Sequence, residues 1–144
     1  KGCQTLDDCL AQFTSVEKID SKVSKRTIFL LTPKTLIISL KRFSFDPTTI
    51  TPIKLTNIID YPDILTMNRL VDQKPIQYRL CGIVKHIGKS PNGGHYVCYA
   101  RRFDGRWVYF DDSNVSVVDD NHHLGLEAYL LLYNQITSVI AEVE

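Results

Sequence analysis

Long apolar runs, a dominant charge sign, internal repeats and low-complexity tracts are all missing from this 144-residue sequence. No apolar stretch approaches the roughly 18 residues that a membrane-spanning helix needs, and the opening KGCQTLDD has no signal-peptide core. The sequence therefore predicts no membrane partner. Seventeen Lys and Arg stand against sixteen Asp and Glu, a formal net charge of +1, so no chain-wide field recommends nucleic acid. Protein and peptide partners remain. Cysteine is sparse: Cys3, Cys9, Cys81 and Cys98 are the whole set. With 44% hydrophobic residues, a chain of this length builds a core without a disulfide framework. The four cysteines read as reduced thiols in an intracellular protein, cytoplasmic, nuclear or both.

What is present reads as one α+β domain over residues 1–144, mainly antiparallel β-sheet with a few short helices. Thr5 and Asp8 form a capping-box pair, and Leu6, Cys9, Leu10 and Phe13 recur on one helical face. A short helix over about 5–14 follows. TIFLL (27–31) and TLIISLKRFSF (35–45), rich in β-branched and aromatic residues and bounded by Pro33 and Pro47, read as two strands. Pro47, Pro52, Pro62 and Pro75 punctuate a stretch suited to edge strands and ordered loops. Beyond it YRLCGIVKHI (78–87), HYVCYARRF (95–103), RWVYF (106–110), VSVV (115–118) and AYLLLYN (128–134) form a succession of antiparallel strands. Residues 136–144 read as a weakly held tail.

Chemistry concentrates in two segments. In SPNGGHYVCYA (90–100), Gly93 and Gly94 free the backbone while His95 opens a strand. FDDSNV (110–115) ends the partner strand and delivers two carboxylates to that neighbourhood. A histidine oriented by a carboxylate is the base half of a cysteine or serine triad, the acid fixing the tautomer and stabilising the imidazolium. Taken alone, the first segment reads rather as a strand-start histidine that packs or meets solvent, and the second rather as a solvated acidic turn capping the strand; together they change the odds. The pair Asp104-Gly105 predicts a two-residue hairpin. That register sets Asp111 opposite Cys98 and Asp112 opposite Val97, and Val97 shares a face with His95, which favours Asp112. One extra residue in the turn, or a bulge, restores Asp111.

Together the motifs Gly94-His95-Tyr96, Tyr99, Trp107, Phe110-Asp111-Asp112-Ser113-Asn114-Val115 and Ala128-Tyr129-Leu130-Leu131-Leu132-Tyr133 resemble the histidine box of the ubiquitin-specific proteases. These are papain-like deubiquitinating cysteine peptidases. Thr35 to Phe43 resembles the strand of that family ending Lys-Arg-Phe, and LDDCLAQFTSVE (6–17) resembles the start of its fingers region. The resemblance runs from about residue 6 to 134. It implies the palm and part of the fingers of such a domain, acting on the bond after the C-terminal Gly-Gly of ubiquitin. By it, His95 is the general base and Asp111 the orienting acid, with Asp112 as rival. His86, Gly93, Gly94 and Tyr96 are implied contacts of the ubiquitin tail, and the loop 87–94 a mobile cover. For His86 a surface position at a strand end is the alternative.

The nucleophile motif of that family, approximately Gly-Leu-x-Asn-x-Gly-Asn-Thr-Cys, does not occur in the sequence. Cys98 does not replace it, because it lies about 10 Å along the strand from His95 and on the opposite face. Cys81 sits mid-strand among Leu80, Gly82 and Ile83, which makes a thiol inert. The second Cys-x-x-Cys pair that many relatives use for zinc falls where this sequence reads SKVSK (21–25), and His122-His123 has no neighbouring thiolate. No cofactor and no metal is expected. The expected partners are ubiquitin, ubiquitinated proteins and the N-terminal thumb half of the same catalytic domain, which carries the cysteine. Beginning without an initiator Met, the chain reads as an excised piece, inactive alone, with an apolar patch that promotes self-association. Two alternatives stand beside this: a non-catalytic ubiquitin-binding pseudoprotease module, and a papain-like hydrolase of unrelated substrate.

Overall fold

The computed structural model describes residues 2–68, 75–90, 93–119 and 127–137. Helix α1 (Leu6–Phe13) begins at the expected capping box: Thr5 Oγ1 accepts from the Asp8 amide at 3.1 Å, and Asp8 Oδ2 accepts from the Thr5 amide at 3.0 Å. Leu6 is fully buried, and Cys9 and Leu10 pack against the core beside it. It is the helix found among the described residues, where a few were expected.

Among the described residues eleven strands follow: β1 (Val16–Lys18), β2 (Ser24–Arg26), β3 (Thr35–Ser39), β4 (Phe43–Phe45), β5 (Pro52–Lys54), β6 (Ile64–Asn68), β7 (Pro75–Ser90), β8 (Gly93–Arg101), β9 (Trp107–Asp111), β10 (Asn114–Val118) and β11 (Ala128–Gln135). Seven of them make one sheet in the order β10-β9-β8-β7-β11-β3, with β6 also on β7, and each pairing within it is antiparallel. The long β7 organises it. β11 takes one edge, while β6 and then β8 share the other in tandem. Trp107, Tyr78, Tyr133, Leu80, Ile83 and Leu131 form the fully buried centre.

Three expectations are corrected. TIFLL (27–31) makes no strand; Phe29 instead packs on Phe13 (ring centroids 6.1 Å) and the core. The run 35–45 is two strands, broken where the buried Arg42 donates from Nε to the Ala128 carbonyl (2.8 Å) and from Nη1 to the Asn57 carbonyl. The β8–β9 loop holds three residues, Phe103-Asp104-Gly105: the Arg102 amide donates to the Arg106 carbonyl (2.8 Å) and the Gly105 amide to the Arg102 carbonyl (3.0 Å). Gly105 has φ +88°, the left-handed position that such loops need. Pro91, Asn92, His122, His123 and the tail residues 138–144 lie outside the described residues.

Candidate active site

The three-residue loop decides which carboxylate meets the histidine. It pairs Arg101 with Trp107 and Cys98 with Phe110, and the same register carries Asp111 opposite Val97. Side chains alternate, so Val97 and His95 share one face. Tyr99 (6% exposed) and Val97 (3%) occupy that face within the core, and His95 ends the row at its rim. His95 Nε2 stands 2.5 Å from Asp111 Oδ1, with both side chains partly exposed. The Tyr109 hydroxyl donates to Asp111 Oδ2 at 3.2 Å. Asp112 lies in the following turn at φ +50°, with its carboxylate inside the 4.8 Å group formed by all three ligand-type side chains. It acts on His95 through charge alone. The favoured status of Asp112 in a two-residue hairpin is thereby corrected, since that register does not form.

The electrostatics follow the contacts. The hydrogen bond to Asp111 raises the pKa of His95 above 6.5, with the Asp111 and Asp112 charges adding in the same direction. The bond to His95 holds Asp111 below the usual carboxylate value, helped by the Tyr109 hydroxyl. Nε2 is occupied by the acid, so Nδ1 is the nitrogen left to exchange a proton with a reacting group. Tyr109 was missed by sequence reasoning. The signal was available: it stands two residues before Asp111, on the same strand and face.

The other predicted residues separate. Gly93 and Gly94 are exposed at the start of β8, and Tyr96 is half-exposed. Tyr96 pairs with His86 across β7–β8, whereas His95 pairs with Ile87, so Tyr96 and His95 point to opposite faces. Tyr96, Phe43, Tyr129 and His86 form a ring cluster with successive centroids 4.8–6.0 Å apart. His86 is 3% exposed, so it is not at the surface, and a peptide would meet Tyr96 and Gly94 before it.

No described thiol is set to react with His95. Burial pushes Cys81 and Cys98 up, and Cys9 is pushed up to about 11 by burial and by the neighbouring Cys3. Cys98 points to the face away from the imidazole, by the same alternation. Cys81 donates to the Leu132 carbonyl at 3.4 Å.

The sequence model of the ubiquitin carboxyl-terminal hydrolases matches residues 3–133. The chain belongs to that family. Among curated members, it is 32% identical over 116 residues to ubiquitin carboxyl-terminal hydrolase 10 of Saccharomyces cerevisiae, covering 78% of this chain and 14% of that protein. It is 34% identical over 124 residues to ubiquitin hydrolase B of Dictyostelium discoideum, covering 85% of this chain and 27% of that one. This hydrolase-family chain thus spans less than a third of the length of these relatives. Among solved structures, a chain of the Ubp8-Sgf11-Sgf73-Sus1 SAGA DUB module superposes with TM-score 0.85 at 33% identity, over 95% of this chain and 32% of that one. The SAGA DUB module bound to ubiquitin aldehyde gives TM-score 0.84 at 28% identity, over 93% of this chain and 34% of that chain. The antiparallel palm-like sheet is therefore the fold of deubiquitinase domains.

Proposed function

We propose that this chain supplies the general base and its orienting acid to a cysteine-type ubiquitinyl hydrolase that cleaves after the C-terminal Gly-Gly of ubiquitin. The supporting observation is the 2.5 Å contact of His95 with Asp111 at the rim of the sheet, in a chain of the ubiquitin carboxyl-terminal hydrolase family. A thiol from outside residues 1–144 gives its proton to His95 Nδ1 and attacks the carbonyl carbon of the terminal glycine. The imidazolium, stabilised by Asp111, returns the proton to the leaving amine; water then hydrolyses the thioester with His95 again as base.

The tail approaches past Gly93 and Gly94, with Tyr96 as an apolar wall, in keeping with the ubiquitin aldehyde held by the related SAGA DUB module. The thumb half of the domain has a matching seat. Leu10, Phe29, Leu36, Ile38 and Ile58 line a largely apolar hollow of about 1130 Å³ into which the buried Arg42 also faces. Arg42 Nη2 has no partner there.

The test has two arms. In the longer protein, His95→Ala lowers kcat/KM on a ubiquitin conjugate by about 10²–10⁴-fold; unchanged turnover would remove the base assignment. On the 144-residue chain, ubiquitin binds more tightly than ubiquitin lacking its last residues. Binding without cleavage in the longer protein selects the pseudoprotease module instead.

A further inference from the structure

Strand pairing places His86 and His95 on opposite faces of the β7–β8 ribbon, so His86 cannot join the proton transfer by contact. What it touches is aromatic rings and backbone. Its ring lies edge-on to Phe43 (5.6 Å) and tilted against Tyr96 (4.8 Å). A Cβ added at Gly94 would stand 2.3 Å from His86 Nε2, 2.6 Å from the Ile87 carbonyl oxygen and 2.9 Å from His86 Cε1, and one at Gly88 would stand 2.8 Å from the Gly93 carbonyl oxygen and 3.0 Å from His86 Cε1. Gly94 also holds φ +153°, which L side chains rarely adopt. The imidazole thus fills space that these two glycines leave open.

The seat itself is held. Lys54 Nζ, on a side chain only 5% exposed, donates to the His86 carbonyl at 2.7 Å and ion-pairs with Glu127 at 2.8 Å. β5, β7 and the residue leading into β11 therefore converge behind the ring. His86 Nδ1 is buried with no hydrogen-bond partner, so the shape of the ring, and not a bond from that nitrogen, supports the backbone above it. Gly94 immediately precedes His95, and its dihedral angles aim the catalytic side chain. A displacement near 1 Å at such a position is enough to cost about a hundredfold in rate.

We propose that His86 is a positioning residue: its imidazole is the surface on which the Gly94 backbone rests, and that contact holds His95 on Asp111. The proposal rests on the reading of His95 as the base.

The test follows the His95 ring by nuclear magnetic resonance in the 144-residue chain, comparing the unaltered protein with His86→Ala, Gly94→Ala and the double variant. Either single change lowers the titration midpoint of His95 toward that of Asp111→Asn, and speeds amide exchange at Gly88, Gly94 and His95 about tenfold while β11 amides are unmoved. In the double variant the clash with the ring is gone while the approach to the Ile87 carbonyl and the backbone strain remain, so the fall in the midpoint is smaller than the sum of the two single falls, a coupling that independent sites would not give. An unchanged midpoint in His86→Ala, or strictly additive effects, would overturn the proposal. Where His86→Ala does not fold, His86→Gln keeps similar bulk without the flat ring; a smaller fall in the midpoint supports the proposal and no fall overturns it. Ubiquitin titration of the unaltered chain separates the two readings: loss of tail-dependent binding sinks the hydrolase assignment and leaves the His86–Gly94 coupling standing.

Discussion

Asp111 governs how long His95 keeps its proton. Their bond raises the histidine and lowers the acid, and the stability each confers has its own pH limit. The contribution of His95 is complete below about 6.5 and is lost as pH rises through its raised folded value; that of Asp111 is complete above about 3.8 and is lost as pH falls through its lowered one. The pair therefore stabilises fully between those reference values. Asp111→Asn is expected to bring the His95 midpoint down toward 6.5 and to flatten denaturation midpoints across that window. Asp112→Asn, removing a charge and no hydrogen bond, gives a smaller fall. Resonance titration of the ring checks both, and an equal effect from the two would contradict the geometry. The histidine and both acids were legible in the sequence, since glycines before a strand-start His and acids after an aromatic strand are local patterns. Strand register by itself did not give which acid wins, because that depends on one residue in a turn; the family resemblance pointed to Asp111.

That turn, between β8 and β9, is set by its backbone. Gly105 sits at φ +88° with open space around it, so Gly105→Ala meets no neighbour and is opposed only by its backbone. A loss of about 1–3 kcal/mol follows, read by urea denaturation; a neutral outcome would mean that the loop relaxes to another type. At the other end of the chain, Thr5→Ala removes half of the capping box of α1 and costs about 1 kcal/mol. The helix was predictable because capping and periodicity act within a few residues. TIFLL failed as a strand because β propensity counts only when a partner edge is available, and Phe29 finds the α1 face instead. The break at Leu40 to Arg42 was equally hidden. It depends on acceptors at Asn57 and Ala128, far away in sequence.

For the whole molecule, the core and the hollow make opposite demands. Leu131 is fully buried where β11 lies between β7 and β3, so Leu131→Ala is expected to cost about 2–5 kcal/mol, measured as a shift in the denaturant midpoint. The hollow lined by Leu10, Phe29, Leu36 and Ile38 is broad and apolar, and Phe13 and Ile58, part of the same lining, stay exposed. A surface of that kind favours association. Sedimentation is expected to reveal concentration-dependent self-association that Ile58→Lys reduces; a monomer at every concentration would argue against this face as an interface.

The residues by themselves determined the antiparallel strand succession, the capped helix, the histidine after two glycines and the acidic pair, because each is written in contacts between near neighbours or in strand periodicity. Between the Asp111 that the motif resemblance implied and the Asp112 that a two-residue hairpin favoured, only the tertiary structure decided; it alone decided too that His86 is buried beneath Gly94 and that Arg42 interrupts a strand. Those outcomes turn on register and on backbone approach between distant segments, where a shift of one position moves a side chain to the other face of the sheet.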